Sequence, residues 1–290
     1  MTMTAETNDM AEVFDEGARA AFAKAYPEQS LRFQHHLHEH PLLSLEALAA
    51  MSGQMKESDI EYNRADLPIG IAPEDVPSNG LAIAETIRTI DDNGSWMVLK
   101  NIEQVPAYRA LLTDLLKQLE PVVRATTGEM LTLQGYIFIS SPGYVTPYHF
   151  DPEHNVLLHL RGEKTMTVFP AGDTRFAPDT AHETYHAGGH RNLEWDDSFA
   201  SGGKEVLLAP GDAVYVPVMA PHWVKVGARS AISLSITWRS EWSYKEAEAR
   251  RTNAMLRRLG LSPKAPPRWP GSPSLKSFLW RGARRLGVVK

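Results

Sequence analysis

The 290-residue sequence contains no cysteine. That excludes disulfides, thiolate metal ligands and a cysteine nucleophile. It has no apolar run long enough to span a bilayer. Its opening stretch, MTMTAETNDMAEVFDEGARA, is acidic and lacks the apolar centre of a signal peptide. A cytoplasmic setting is therefore the expectation. Acidic residues are missing from one region: residues 249–290 hold eleven Lys and Arg and no Asp or Glu. The formal charge of the whole chain is nonetheless −5, so the body ahead of this tail is strongly acidic. The asymmetry points to an acidic partner or an anionic membrane surface for the tail. A basic end folded onto the chain's own acidic body is the competing reading. No internal repeat is visible.

Three regions follow from the periodicity. Residues 1–128 read as a mostly helical region. Residues 11–26 carry Phe14, Ala18, Ala21, Phe22 and Ala25 at helical spacing, and Pro27 ends the element. Ser44 starts a short apolar helix. Residues 57–80 read as a loop rich in Pro, Gly, Asn and Asp. Ile83 to Ile90 reads as a helix, SWMVLKNI as a strand, and AYRALLTDLLKQLEPVV as an amphipathic helix with Leu111, Leu112, Leu115, Leu116 and Leu119 on one face. Residues 129–240 switch to a period of two, with seven short strands separated by turn residues. That pattern argues for a jelly roll or barrel flanked by the helical region. Within it, residues 171–203 form a polar, Gly-rich insert of the kind that carries function. Residues 241–290 read as a helix, a Pro-rich linker and a short basic amphipathic segment with Leu275, Phe278, Leu279 and Leu286 on its apolar side.

The chemistry concentrates in YVTPYHFDPEHNVLLHLRGEK, residues 144–164. His149 and Asp151 stand two apart in a stretch that reads as extended, so both side chains point the same way. An imidazole and a carboxylate on one face supply two members of a facial triad for non-haem Fe(II), which leaves three coordination positions open. His222 follows Pro217 by five residues at the start of a later strand. In an antiparallel barrel that strand can lie beside the one bearing His149, completing a 2-His-1-carboxylate set. Lys164 follows the Gly162 hairpin and shares a face with Met166 and Val168. A buried lysine needs an anionic partner; a surface lysine beside a turn is the alternative. Arg239 is a rival cation late in the last strand.

Residues 131–239 resemble the JmjC-type, cupin-like Fe(II)/2-oxoglutarate oxygenases, in particular the asparaginyl-hydroxylase branch and its bacterial relatives. The resemblance rests on Thr146-Pro147-Tyr148-His149-Phe150-Asp151, then Asn155, then Arg161-Gly162-Glu163-Lys164, then Pro210-Gly211-Asp212, and Pro217 to His222. It implies a double-stranded β-helix that uses Fe(II), 2-oxoglutarate and O₂. His149, Asp151 and His222 would hold the metal. Lys164 and Thr146 would bind the distal carboxylate of 2-oxoglutarate, and Asn155 would sit near its keto-acid end. Tyr136 is a barrel-facing contact, and Thr237 stands where that branch often has Asn. The implied reaction couples decarboxylation of 2-oxoglutarate to succinate with hydroxylation or demethylation of an unidentified substrate. C-terminal helices often dimerise such relatives, so a homodimer is expected.

Other readings compete. His35, His36, His38 and His40 could suggest a metal cluster, but neighbouring histidines on a helix face different ways. His182-Glu183-Thr184-Tyr185-His186 matches the H-E-x-x-H pattern of zinc proteases, which works only on a helix. With Pro178 before it and Gly188-Gly189 after it, the insert reads instead as a substrate mouth, with His182, His186 and His190 as polar lining or surface. His154 and His159 read as core or surface histidines near the site. A non-enzymatic cupin binding module and a Zn²⁺ or Mn²⁺ cupin enzyme are the alternative functions.

Overall fold

The change from helical to alternating periodicity near Met130 marks a real change of architecture. The computed structural model describes residues 12–64 and 79–287. Among these residues four α-helices precede the barrel: α1 Glu16–Ala25, α2 Leu45–Ser52, α3 Ile83–Arg88 and α4 Pro106–Thr127. Asp15 caps α1 by accepting from the Ala18 amide at 2.7 Å, and Ser44 caps α2. Pro106 opens α4, where its missing N–H is not needed. The five leucines of the α4 stripe are all buried.

The described residues form eleven strands, and those from residue 130 onward follow the expected positions closely. They are β1 Leu31–Gln34, β2 Ile60–Arg64, β3 Ser95–Lys100, β4 Met130–Ser140, β5 Val145–His149, β6 His154–Arg161, β7 Lys164–Val168, β8 Lys204–Leu208, β9 Asp212–Val216, β10 His222–Val226 and β11 Ala231–Ser240. One antiparallel sheet has the order β1-β9-β6-β11-β4-β3-β2, and the other β5-β10-β7-β8. The two sheets enclose the barrel interior as a double-stranded β-helix. Two short strands in the first region were not foreseen. β2 replaces the start of the expected 57–80 loop, whose residues 65–78 lie outside the described residues. β1 occupies part of the histidine-rich segment read as helical, and it pairs with β9 as the edge strand of the large sheet. Both are polar at alternate positions and only four or five residues long, too little for periodicity to declare them.

The large sheet is buried on both faces, which explains the unbroken apolar look of β6. Val156, Leu158 and Leu160 join the outer core with Ile137, Ile139, Leu234, Ile236, Trp238 and the α4 leucines. The other face of β6 carries Asn155, Leu157 and His159 into the barrel. There Leu157 meets Met166, Val168, Val214, Val216 and Val224. The chain leaves the barrel through Ser240, which caps α6 Glu241–Arg258. α7 Ser274–Arg285 runs antiparallel along α6, with Ser277 and Arg281 bound to Glu248.

Candidate metal centre

Strand register assembles the site. β10 lies between β5 and β7. Across it, His149, His222 and Val168 stand side by side, and one step along so do Thr146, Val224 and Met166. Directly opposed residues share a face, so these side chains point into the barrel. Lys164, opposite Val226, points there too. Thr146 and His149 are three residues apart, and strict alternation would place them on opposite faces. The register shifts between the pairings of His222 and Val224, so that β5 spends one extra residue there. This bulge at Pro147-Tyr148 returns both side chains to the interior.

β5 ends at His149, and Asp151 lies just beyond it. Its backbone is fixed from both sides: Met219 N–H donates to the Asp151 carbonyl at 2.8 Å, and Leu193 N–H donates to the Tyr148 carbonyl at 2.9 Å. Phe150 turns away into a cluster with Ala177, Val218 and Met219. His149 and Asp151 therefore emerge on one side, as their spacing predicts.

One ligand atom from each of His149, Asp151 and His222 lies within 4.8 Å of the others. The Nδ1 of His149 meets the Pro147 carbonyl at 2.7 Å, and the Nδ1 of His222 meets the Ala220 carbonyl at 2.9 Å. A carbonyl only accepts, so both Nδ1 atoms carry the proton and both Nε2 lone pairs are free. These Nε2 atoms face the same Asp151 Oδ2, at 3.7 Å and 3.6 Å. Burial pushes both imidazoles below the ordinary histidine range, His149 to about 3. Burial would also raise the Asp151 carboxyl, but Arg191 and the two imidazoles outweigh it and hold the group at about 2. The set is thus two neutral imidazoles and a carboxylate near pH 7, the donor chemistry that a divalent iron site requires.

Arg191 escaped the sequence reading. It donates to Asp151 Oδ1 at 2.8 Å from forty residues away. Its only sequence signal was membership of the polar insert.

The barrel interior beyond the triad is polar in a band. Lys164 is only 4% exposed, and among the described residues it makes no hydrogen bond or ion pair. Burial alone lowers its ammonium to about 7. Asn155 Oδ1 accepts from Ser235 Oγ at 2.7 Å, and Thr237, opposite Asn155, donates to the Gln134 carbonyl. Tyr136 lies on the interior face of β4, opposite Ser235, with burial raising its phenol. Arg239 is committed elsewhere: a register shift after Thr237 turns it to α6, where it donates to Ser243 and stacks over Tyr244.

The insert differs from its expected form. The H-E-x-x-H residues lie on a helix, α5 Asp179–His186, with Pro178 at the cap position rather than breaking it. His182 and His186 are buried, neither mouth lining nor surface. His182 stacks on Phe150 at 4.9 Å, and Glu183 is bound by Arg257 and Asn253 of α6. They join no metal-ligating group among the described residues, and neither does the segment 35–40. His190 does line a cleft, of about 520 Å³, beside Phe150 and Leu193. His154 and His159 are satisfied core residues. His154 bonds Tyr215 and Ser240, and His159 bonds Ser233 and the Gly162 carbonyl.

A family model of the JmjC domain matches residues 118–246. A search of curated protein sequences finds no match. Among solved structures, YcfD of Escherichia coli is similar at a TM-score of 0.52 and 15% identity, covering 96% of this chain and 69% of that one. A second YcfD structure, described as a ribosomal oxygenase in complex with cobalt and 2-oxoglutarate, gives 0.51 and 14% over 96% and 68%. At such identity these structures speak for the shared fold. The family match falls on the segment that carries His149, Asp151, Lys164 and His222, so that residues 118–246 form a JmjC-type, Fe(II)/2-oxoglutarate oxygenase domain.

Proposed function

We propose that the protein hydroxylates a protein side chain, using Fe(II), 2-oxoglutarate and O₂. The observation that carries the cofactor assignment is the joint presence, on one interior face, of the His149–Asp151–His222 set and an unpaired, buried Lys164. Fe(II) held there with 2-oxoglutarate and O₂ would supply the oxidising power for C–H hydroxylation, with 2-oxoglutarate going to succinate and CO₂.

The chain's own residues then have distinct tasks. His149 and His222 would hold the metal through Nε2 and Asp151 through Oδ2. Lys164 pairs with the distal carboxylate of 2-oxoglutarate, and Thr146 hydrogen-bonds it. Asn155, Tyr136 and Thr237 line the cosubstrate pocket. The apolar wall of Leu157, Val168, Val214 and Val224 keeps water from the reacting centre. A cleft between α5 and residues 190–194 is lined by Phe150, the residue between the ligands His149 and Asp151 in sequence. A protein substrate is supported by the similar YcfD structure, described as a ribosomal oxygenase. We place the enzyme in the cytoplasm, where Fe(II) stays reduced. No described helix is long and apolar enough to cross a membrane.

The test is an anaerobic titration with Fe(II) and then 2-oxoglutarate, following the visible charge-transfer band. A band in the wild type, lost in His149→Ala and weakened in Lys164→Ala, is the expected result. No band, with Zn²⁺ or nothing retained, would instead favour a binding module or another cupin enzyme.

A further inference from the structure

α7 is amphipathic, but it is packed with its polar side inward. Ser277 and Arg281 bond Glu248, and Lys276 bonds Asn253 of α6. The apolar side faces solvent: Leu275 is 74% exposed, Phe278 72%, Leu279 50% and Leu286 82%. These positions follow i, i+3, i+4 and i+11, a single stripe along the helix. A surface helix in water normally buries that stripe, and a contiguous exposed apolar patch marks an interaction site.

The surrounding charge selects the partner. Part of the basic tail is used internally: Arg250 pairs with Asp179 and Glu246, Arg257 with Glu183, Arg268 with Glu28 and Arg281 with Glu248. Arg285, which flanks the stripe seven residues after Phe278, and Arg284, further round at the helix end, are exposed and make no ion pair among the described residues. No Asp or Glu occurs between residues 249 and 290 to receive them from a second copy. Two such faces meeting would juxtapose cations. A bilayer with anionic headgroups satisfies both features at once, accepting the apolar stripe at the acyl boundary and the guanidiniums at the phosphates.

We propose that α7 is a membrane-surface anchor that seats the enzyme on an anionic bilayer. The helix lies in the interface plane, and α6 ties it to the barrel. The inference goes beyond the oxygenase reading and does not depend on it.

The test is vesicle flotation of the full chain, comparing phosphatidylcholine vesicles with vesicles containing about one-third phosphatidylglycerol. The apolar variant Leu275→Ser/Phe278→Ser/Leu279→Ser and the charge variant Arg284→Glu/Arg285→Glu alter only exposed side chains, and circular dichroism checks that they fold. The wild type should float with the anionic vesicles alone, with salt weakening binding. Each variant should lose roughly tenfold or more in partitioning. Flotation that is absent, indifferent to lipid charge, or unchanged in the variants would overturn the proposal. So would a dimer in sedimentation velocity without vesicles that the apolar variant abolishes, since α7 would then join two copies.

Discussion

Arg191 grips one oxygen of Asp151 while the other faces both histidines. Its Nη1 lies 2.8 Å from Oδ1, and Oδ2 lies 3.7 and 3.6 Å from the Nε2 atoms of His149 and His222. The carboxylate is thereby oriented with a single oxygen toward the two Nε2 atoms, the arrangement that one-oxygen binding of a metal would need. Groups that orient metal ligands typically account for 10–100-fold in affinity. Arg191→Met is expected to lower Co²⁺ affinity by about tenfold or more, measured by competition with a chromogenic chelator. Arg191→Lys, which keeps the charge but not the planar fork, should recover only part of it. Unchanged affinity in Arg191→Met would show that the backbone around Asp151 positions the carboxylate alone.

Lys164 gives a prediction with a definite sign. Burial lowers its folded-state pKa from 10.5 to about 7. Between those values the unfolded chain binds more protons than the folded one, so the lysine's unfavourable contribution shrinks as pH rises through that window. The ligand-free Lys164→Met variant should therefore melt above the wild type at pH 7, with the gap narrowing toward pH 10. A bound dicarboxylate stabilises the charged form and reverses the shift. Binding of 2-oxoglutarate should then take up a proton at pH 8, seen as a buffer-dependent heat in calorimetry. It should fall by roughly 100-fold or more in the variant, the scale of losing a buried ion-pair partner. Buffer-independent heat with intact binding would remove Lys164 from the cosubstrate site.

Much of this arrangement was legible because it follows from short-range rules. Alternation from residue 131 onward gave the strands, and the leucine stripe of α4 gave its buried face. The two-residue spacing of His149 and Asp151 put them on one side. What escaped depends on pairings that no local window contains. The bulge that turns Thr146 inward exists only in register with β10. Arg191 reaches Asp151 through the fold of the insert. α5 was misread for a different reason: Pro178 and Gly188 are boundary signals of a helix, and were read as breaks within a loop. The burial of His182 likewise depends on α6, some sixty residues further along the chain.

His159 supplies an acid-side prediction. Its Nε2 meets the Gly162 carbonyl, which only accepts, so Nε2 carries a proton, and its Nδ1 accepts from Ser233 Oγ when the ring is neutral. Burial, then the neighbouring Lys164, lower its pKa to about 3. Below pH 6.5 the unfolded chain takes up a proton that the folded chain refuses, so stability is lost as pH falls from 6.5 toward 3. The slope for one such group is about 1.4 kcal/mol per pH unit. His159→Gln keeps much of the bonding and cannot titrate. Its unfolding free energy, from urea melts between pH 6.5 and 4.5, should decline less steeply than the wild type's by up to that amount. Parallel slopes would mean that the histidine is already exposed to water in the folded state.

Gly162 couples the hairpin to the site. Its φ is 75°, and a Cβ there would stand 2.1 Å from the Ser230 carbonyl oxygen. Alanine must therefore accept a left-handed backbone and also push the start of β11 away. Together these effects are worth roughly 3 kcal/mol of stability. The strain falls two residues before Lys164 and on the carbonyl that His159 binds, so it should displace the lysine while leaving the triad strands in place. Gly162→Ala is expected to weaken 2-oxoglutarate binding more than Co²⁺ binding. Asparagine, which tolerates positive φ but still carries a Cβ, separates the two causes. If Gly162→Asn matches the wild type in melting temperature and in 2-oxoglutarate affinity, backbone conformation is the constraint. If it fails as alanine does, the contact with Ser230 is.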